Sequence, residues 1–128
     1  MVGLTNESAI NTTIQVPALA PVAGTTSGTF SFDETSALAQ TVTTITITAR
    51  TAIGAIWLDM TNVTQDTNIA LLHQIDGTNY RQFQDNAWVT TDDDGVLLDG
   101  FVVSGGLRIT LTCGGGGGGS VNVPFVVL

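Results

Sequence analysis

Strict alternation of apolar and polar residues is the feature of this sequence that most restricts its fold. In the stretch LRITLTC the apolar positions of one parity are Leu107, Ile109, Leu111 and Cys113. In SVNVPFVVL they are Val121, Val123, Phe125 and Val127. Successive side chains of a strand point to opposite faces, so a period of two marks a strand with one buried face. These runs predict an all-β protein, in which ETSALAQT makes one helical turn at most.

About eight such strands follow one another from TFSF onwards, at short spacing and with turn residues between them. This spacing predicts an antiparallel, jelly-roll-like β-sandwich over residues 28–128. An immunoglobulin-like sandwich is the main alternative, although its Cys and Trp spacing is missing. Residues 1–27 contain Pro17 and Pro21 and favour extended chain, so we expect an extended N-terminal arm there, with one short strand near Thr13–Val16.

Several strands have a predicted orientation. TVTTITITAR places Ile45, Ile47 and Ala49 on one face. IGAIWLDMTNV places Ile56, Leu58 and Met60 on one face and Trp57 on the other. GVLLDGFVV is predicted to carry Val96 and Leu98 on one face and Leu97, Phe101 and Val103 on the other, with a bulge at Gly100. The dipeptide Asp76-Gly77 predicts a hairpin closed by a type I′ turn. The outward Trp57 implies a second apolar surface.

The six consecutive glycines of Gly114–Gly119 lie directly before the last strand. Six extended residues span at most ~20 Å, twice the ~10 Å between packed sheets, so this segment can carry the chain from one sheet to the other. A tolerated surface insertion is the alternative interpretation. Pro124 lacks an amide donor, which predicts an open or irregular flank on the last strand, covered by another chain or by the arm.

Charge restricts the partners. The chain has no lysine, only Arg50, Arg81 and Arg108 as strong cations, and a formal net charge of −8. Phosphate binding requires clustered Lys and Arg, so nucleic acid is excluded as a partner, and anionic membranes are disfavoured. The beginning of the chain lacks the basic and apolar regions of a signal peptide, which argues against ordinary secretion. Cys113 is the only cysteine and is expected to be a buried apolar residue.

No residue pattern predicts a catalytic site or a cofactor. His73, beside Leu71 and Ile75, is expected to be a core or interface histidine. Asp92, Asp94 and Asp99 are weak Ca²⁺ candidates without the full ligand spacing of an EF-hand. A sugar-stacking platform is the alternative use of Trp57, Tyr80 and Trp88. The residues expected at an interface between chains are Trp57, Arg81, Arg108, Pro124 and Phe125.

The segments TITARTAIGAIWLDMTNVTQDTNIALLHQIDGTNYRQF, DGVLLDGF and VNVPFVV resemble small proteins encoded among the structural genes of tailed phages, over about residues 40–128. The resemblance implies a β-sandwich component of the virion, such as a capsid decoration or accessory protein. It implies no functional residues.

Sequence and resemblance together predict a non-enzymatic virion protein that assembles in the host cytoplasm. We expect it to bind the outer capsid surface and the major capsid protein as a symmetric homo-oligomer such as a trimer. One alternative is a carbohydrate-binding or adhesion module. Another is a filament-forming β protein that exchanges its C-terminal strand between chains.

Overall fold

The computed structural model describes residues 20–21, 26–46, 51–103 and 105–128, and every regular element in these ranges is a β-strand. The strands are β1 (Ala20–Pro21), β2 (Thr26–Asp33), β3 (Gln40–Ile45), β4 (Thr51–Asp59), β5 (Thr67–Gln74), β6 (Tyr80–Trp88), β7 (Gly95–Val103), β8 (Leu107–Cys113) and β9 (Ser120–Val127). No helix among the described residues is long and apolar enough to cross a membrane. The predicted all-β class is confirmed.

The eight longer strands form two antiparallel sheets of four. The first sheet has the order β7-β4-β9-β2, and the second has the order β3-β8-β5-β6. β1 adds a short parallel pairing at the start of β4. Among the eight longer strands described, only the β5–β6 connection stays within one sheet. The chain therefore passes repeatedly from sheet to sheet, which is the arrangement of a jelly roll. The predicted jelly-roll-like sandwich is therefore confirmed, and the immunoglobulin-like alternative is wrong.

The core lies between the two sheets and is built from the predicted inward parities. Ile56, Leu58 and Met60 are buried and Trp57 is exposed, as predicted. The β8 and β9 predictions are also confirmed, with Val121 partly buried at the margin of the core. The buried residues of the last two strands are Leu107, Ile109, Leu111, Cys113, Val123, Phe125 and Val127. Of the three positions predicted inward around β3, Ile45 packs against the core, while Ile47 and Ala49 lie outside the described residues.

The prediction for β7 was wrong about which side chains share a face. Leu98 and Val103 are buried, Val96 and Phe101 pack against the core, and Leu97 is exposed. The inward positions Leu98 and Phe101 therefore lie three residues apart, so the strand changes face at Asp99-Gly100. The paired strand β4 changes face in the same way at Gly54, and the pairing register does not shift across this point. Both strands change face together, so Gly100 marks an irregularity without the extra residue of a bulge.

The predicted β5–β6 hairpin is confirmed, but its turn is of another type. A type I′ turn needs positive φ at both central residues. Gly77 has φ 75°, whereas no described non-glycine residue has positive φ. The Asp76 carboxylate instead accepts hydrogen bonds from the backbone N–H groups of Thr78 and Asn79, at 2.9 and 2.6 Å. Hydrogen bonds from the following backbone N–H groups to the aspartate side chain stabilise this turn, so Asp76 does not need a positive φ.

The glycine run crosses from β8 in the second sheet to β9 in the first, as predicted. It is also held in place. Gly117 N donates to Glu34 O at 2.9 Å, and Glu34 N donates to Gly119 O at 3.0 Å. Gly116 N donates to Gln65 Oε1 at 3.3 Å. These bonds argue against the alternative of a tolerated surface insertion, because the run packs on specific partners.

Glu34 is a buried charged residue below this glycine crossing. It is 1% exposed, and its carboxylate accepts hydrogen bonds from Thr64 N and Thr64 Oγ1, both at 2.9 Å. Cys113 lies beside it as a buried free thiol, 3.5 Å from Ser36 O and 3.8 Å from Glu34 O. The expectation of a buried Cys113 is confirmed, and the residues around Glu34 join β2, β8 and the glycine crossing into one hydrogen-bonded cluster.

The last strand pairs within the chain. β9 lies between β2 and β4, with β2 along its whole length and with β4 only over Phe125–Val127. Pro124 therefore lies where the pairing with β4 has ended, so its missing N–H leaves no ladder bond unmade on that side. The predicted open flank at Pro124 is confirmed. The predicted arm at residues 1–27, including its short strand near Thr13–Val16, lies outside the described residues except for β1 and the start of β2.

Candidate functional site

An apolar row crosses the outer face of the first sheet. Trp57 on β4 faces Leu97 of β7 on one side and Val126 of β9 on the other. Trp57 is 46% exposed and Leu97 is 48% exposed. Both residues lie on strands whose other face fills the core, so their outward position follows from the alternation of the pleat. We call Leu97, Trp57 and Val126 the Trp57 row.

A shallow depression of about 210 Å³ adjoins the Trp57 row where the pairing between β4 and β9 ends. Its lining is Trp57, Leu58, Asp59, Gly95, Pro124, Phe125 and Val126. Asp59 is its charged side chain, and hydrogen bonds from the Thr61 hydroxyl and then the Thr61 N–H lower the pKa of this carboxyl. An apolar hollow with one ionised carboxylate at its margin suits contact with another surface or with a small neutral ligand.

The five predicted interface residues fall into three places. Trp57 and Pro124 meet at the depression on the first sheet. Phe125 borders the same depression but is only 9% exposed, and most of its side chain packs in the core. Arg81 and Arg108 belong to β6 and β8 of the second sheet. The sequence prediction therefore combined residues that do not share one surface.

The two arginines have different surroundings. The guanidinium carbon of Arg108 lies 3.9 Å from the centroid of the Tyr80 ring, which is a cation–π contact. Arg81 is exposed and pairs in register with His73. This contact lies within the second sheet, because Arg108 belongs to β8 and Tyr80 to β6.

The Ca²⁺ candidates are not brought together by the fold. Asp92 Oδ2 accepts a hydrogen bond from Val89 N at 3.0 Å within the β6–β7 turn. Asp94 contributes its backbone oxygen, which accepts from Met60 N at 2.7 Å. Asp99 lies on β7 opposite Ala55. Among the described ranges no group of three or more His, Cys, Asp or Glu residues is placed to hold a metal ion.

The three aromatic residues considered for sugar stacking are also separated. Trp57 lies on the outer face of the first sheet, whereas Trp88 is 5% exposed and donates its indole N–H to Asp93 O at 3.0 Å. Tyr80 lies below Arg108 on the second sheet. A shared platform of these three rings is therefore wrong, because they lie on two different sheets and Trp88 is buried.

His73 lies in an aromatic cluster. Its ring is 6.3 Å from that of Phe83, which in turn lies 5.2 Å from Phe101 of the opposite sheet, and both pairs meet edge to face. His73 is partly buried and Phe83 is 45% exposed, so this cluster lies at the margin of the core. Ile75 does not share its environment, because Ile75 lies beyond the end of β5 and is 70% exposed.

Sequence reasoning did not name Leu97 or the partly buried Val126 as members of the site. Val126 followed from the parity of β9, since its neighbours Phe125 and Val127 were predicted inward. Leu97 required the switch of face at Gly54 and Gly100. Two glycines in strands that pair with each other are a signal of such an irregularity, but the sequence does not state which strands pair.

No protein-family model matches the chain, and no curated protein matches it. Among solved structures, the chain is similar to the Yersinia pseudotuberculosis-derived mitogen, with a TM-score of 0.40 and 14% sequence identity. That alignment covers 80% of this chain and 84% of the mitogen chain.

Proposed function

We propose that this chain is a non-enzymatic virion structural protein, a phage capsid decoration or accessory protein that binds the outer capsid surface as a symmetric oligomer. The observation that carries the proposal is the Trp57 row on the outer face of the first sheet. Trp and Leu side chains about half exposed beside an apolar depression are typical of a contact surface.

Fold and charge agree with this role. The jelly roll is a fold of viral capsid proteins, and it also occurs in lectins, so it favours the role without defining it. The net charge of −8 suits an outer capsid position better than one that faces packaged DNA. The resemblance to tailed-phage structural proteins points in the same direction.

Copy number in purified virions from the source tests the role. Quantitative mass spectrometry should find the chain at a fixed stoichiometry with the major capsid protein. A few copies per particle would place it in the tail instead, and its absence would refute the virion role.

A binding experiment tests the surface. Capsids that lack the protein should bind the purified wild-type chain. They should not bind the Trp57→Asp variant. Ile75→Asp is the matched control, because Ile75 is exposed on the β5–β6 turn, away from the Trp57 row. Equal binding by the two variants would refute the assignment of this face.

Carbohydrate binding is the second candidate, and the depression beside Trp57 is the observation that favours it. An exposed indole next to the Asp59 carboxylate provides one stacking surface and one hydrogen-bond acceptor for a sugar ring. Glycan-array binding that is abolished by Trp57→Ala and retained by Trp88→Phe would support this candidate. An array without any signal would exclude it for the glycans tested.

A further inference from the structure

β7 is an edge strand of the first sheet with one unpaired side. It pairs with β4 along its length, and no other strand in the described part of the chain pairs with it. A free strand edge presents a row of N–H and C=O groups that a second strand can bind. β7 is also nine residues long, which allows an extended ladder.

The other edge strands carry features that discourage pairing, and β7 carries few. β3 has six residues and a register shift against β8. β6 carries Arg81 and Asp85, and the outward side of β2 is formed by Ser and Thr. β7 has a single charge, Asp99, and exposes Leu97 and Val102 at 48% and 46%. Short, irregular or charged edges oppose association, and β2 offers no apolar outward side chain to a partner, so β7 is the described edge best suited to pair with another strand.

The inward and outward positions of β7 read the same in both chain directions. Because of the switch at Asp99-Gly100, one inward pair precedes this dipeptide and one follows it. The inward residues are Val96, Leu98, Phe101 and Val103, and the outward apolar residues are Leu97 and Val102. Residues directly opposite each other in an antiparallel pair point to the same face. A second β7 with Leu97 opposite Val102 therefore matches outward with outward side chains.

The same register matches the remaining positions. Val96 lies opposite Val103 and Leu98 opposite Phe101, so inward side chains meet inward side chains. Asp99 lies opposite Gly100 of the other copy. In a register centred on Asp99, the two Asp99 carboxylates would instead lie directly opposite each other and repel. The edge is thus complementary to itself, as a contact between two identical surfaces requires.

β4 shows that β7 accepts a partner with this pattern. β4 has Ile53 and Ile56 inward on the two sides of its own switch, and it pairs antiparallel to β7 with Trp57 opposite Leu97. A second β7 would present an equivalent pattern to the free side.

We propose that two copies of the chain associate through β7 as a two-fold dimer, with Leu97 of one copy opposite Val102 of the other. The first sheet then continues through both chains, and the two Trp57 rows lie on one surface. This inference rests on the symmetric oligomer of the proposed function and gives it two-fold symmetry in place of the expected trimer. Because each chain carries a net charge of −8, added salt screens the repulsion and strengthens the dimer.

Light scattering coupled to gel filtration tests the association. The wild-type chain should show 26.4 kDa, twice the 13.2 kDa of one chain, and the dimer fraction should rise with salt. Leu97→Lys should return the mass to 13.2 kDa, because a charge on the free edge opposes pairing. Thr29→Lys, an exposed change on the β2 edge, is the control and should remain dimeric. A monomeric wild type, a trimer, or a dimer unaffected by Leu97→Lys overturns the proposal.

Disulfide cross-linking tests the register. In a Cys113→Ala background, the double variant Leu97→Cys/Val102→Cys should form a covalent dimer on mild oxidation, because directly opposite residues lie within disulfide range. Either cysteine alone should fail, since equal positions lie five residues apart along the pair, roughly 16 Å. Cross-linking by Leu97→Cys alone overturns the register. If the chain is monomeric in solution but stoichiometric in virions, the dimer is refuted and the virion role is not. If the chain is dimeric but absent from virions, the virion role is refuted and the dimer is not.

Discussion

Alanine substitutions at adjacent glycines of the crossing between β8 and β9 should have opposite consequences. At Gly117 an added Cβ would lie 2.5 Å from Glu34 Cβ and 2.5 Å from Gln65 Nε2. At Gly118 an added Cβ would have no heavy atom within 4 Å, and the backbone there is not left-handed. The pair therefore separates packing at one position from the general effect of removing a glycine.

The cost at Gly117 follows from these contacts. Carbon atoms in contact normally lie about 3.5–4.0 Å apart, so Glu34 Cβ is closer by more than ~1 Å. The Gln65 amide can rotate away, but it then loses its 3.2 Å hydrogen bond to Glu34 O. Glu34 is buried and can move only with its backbone. Overpacking costs about 1–3 kcal/mol and a lost hydrogen bond about 0.5–1.5 kcal/mol, which gives roughly 3 kcal/mol for Gly117→Ala.

Thermal and urea unfolding measure this difference. Unfolding entropy of about 2.1 cal/mol/K per residue over the 128 residues converts 3 kcal/mol into a fall in Tm of roughly 10 °C. Gly118→Ala should leave Tm unchanged or raise it slightly, since alanine restricts the unfolded chain. Equal Tm values for the two variants would refute the view that the crossing is anchored on Glu34, and would restore the tolerated-insertion interpretation.

Two further predictions concern carboxylates. Hydrogen bonds from Asn79 N–H first, then from the Asn79 amide and Thr78 N–H, with a smaller attraction from Arg81, lower the pKa of Asp76 to about 2. This stabilisation is present above pH ~4 and is lost as the pH falls through about 2, so the Tm advantage of wild type over Asp76→Ala should shrink from pH 5 to pH 2; a constant difference would contradict it. Thr64→Val removes the hydroxyl donor of buried Glu34 and should cost about 1–3 kcal/mol in urea unfolding, because a buried carboxyl oxygen is left without this hydrogen bond. Thr61→Val, which removes the equivalent bond to exposed Asp59, should cost clearly less, and equal costs would show that Glu34 does not depend on this donor.

The sequence predicted the buried face correctly for those strands whose own residues show which face is apolar. β8 and β9 keep one parity from end to end, so their buried faces could be assigned without knowledge of their neighbours. Trp57 was assigned outward because β4 keeps one parity after Gly54. β7 failed because its face changes at Gly100 together with Gly54 of β4, and the pairing of these two glycines is a property of the tertiary structure.

The candidate site was predictable only in part, because exposure depends on both sheets. Pro124 was correctly associated with an open flank, since a missing N–H restricts where proline can lie in a sheet. Phe125 was expected at an interface, but the parity that made β9 a strand also turns this ring into the core. Glu34 was not predicted as buried, because its partner Thr64 is thirty residues away and sequence distance does not show their contact.

β9 is held on both sides by strands of its own chain. β2 and β4 are both paired to β9, and its side chains Val123 and Val127 are completely buried. Without β9 the first sheet would lose one of its two inner strands and the core would lose the side chains of β9, so residues 120–128 belong to the folding unit. Exchange of this strand between chains would therefore require a second copy to fill the same position, whereas pairing through the free side of β7 leaves each core intact. Pairing through β7 therefore disturbs the fold less than exchange of β9 would.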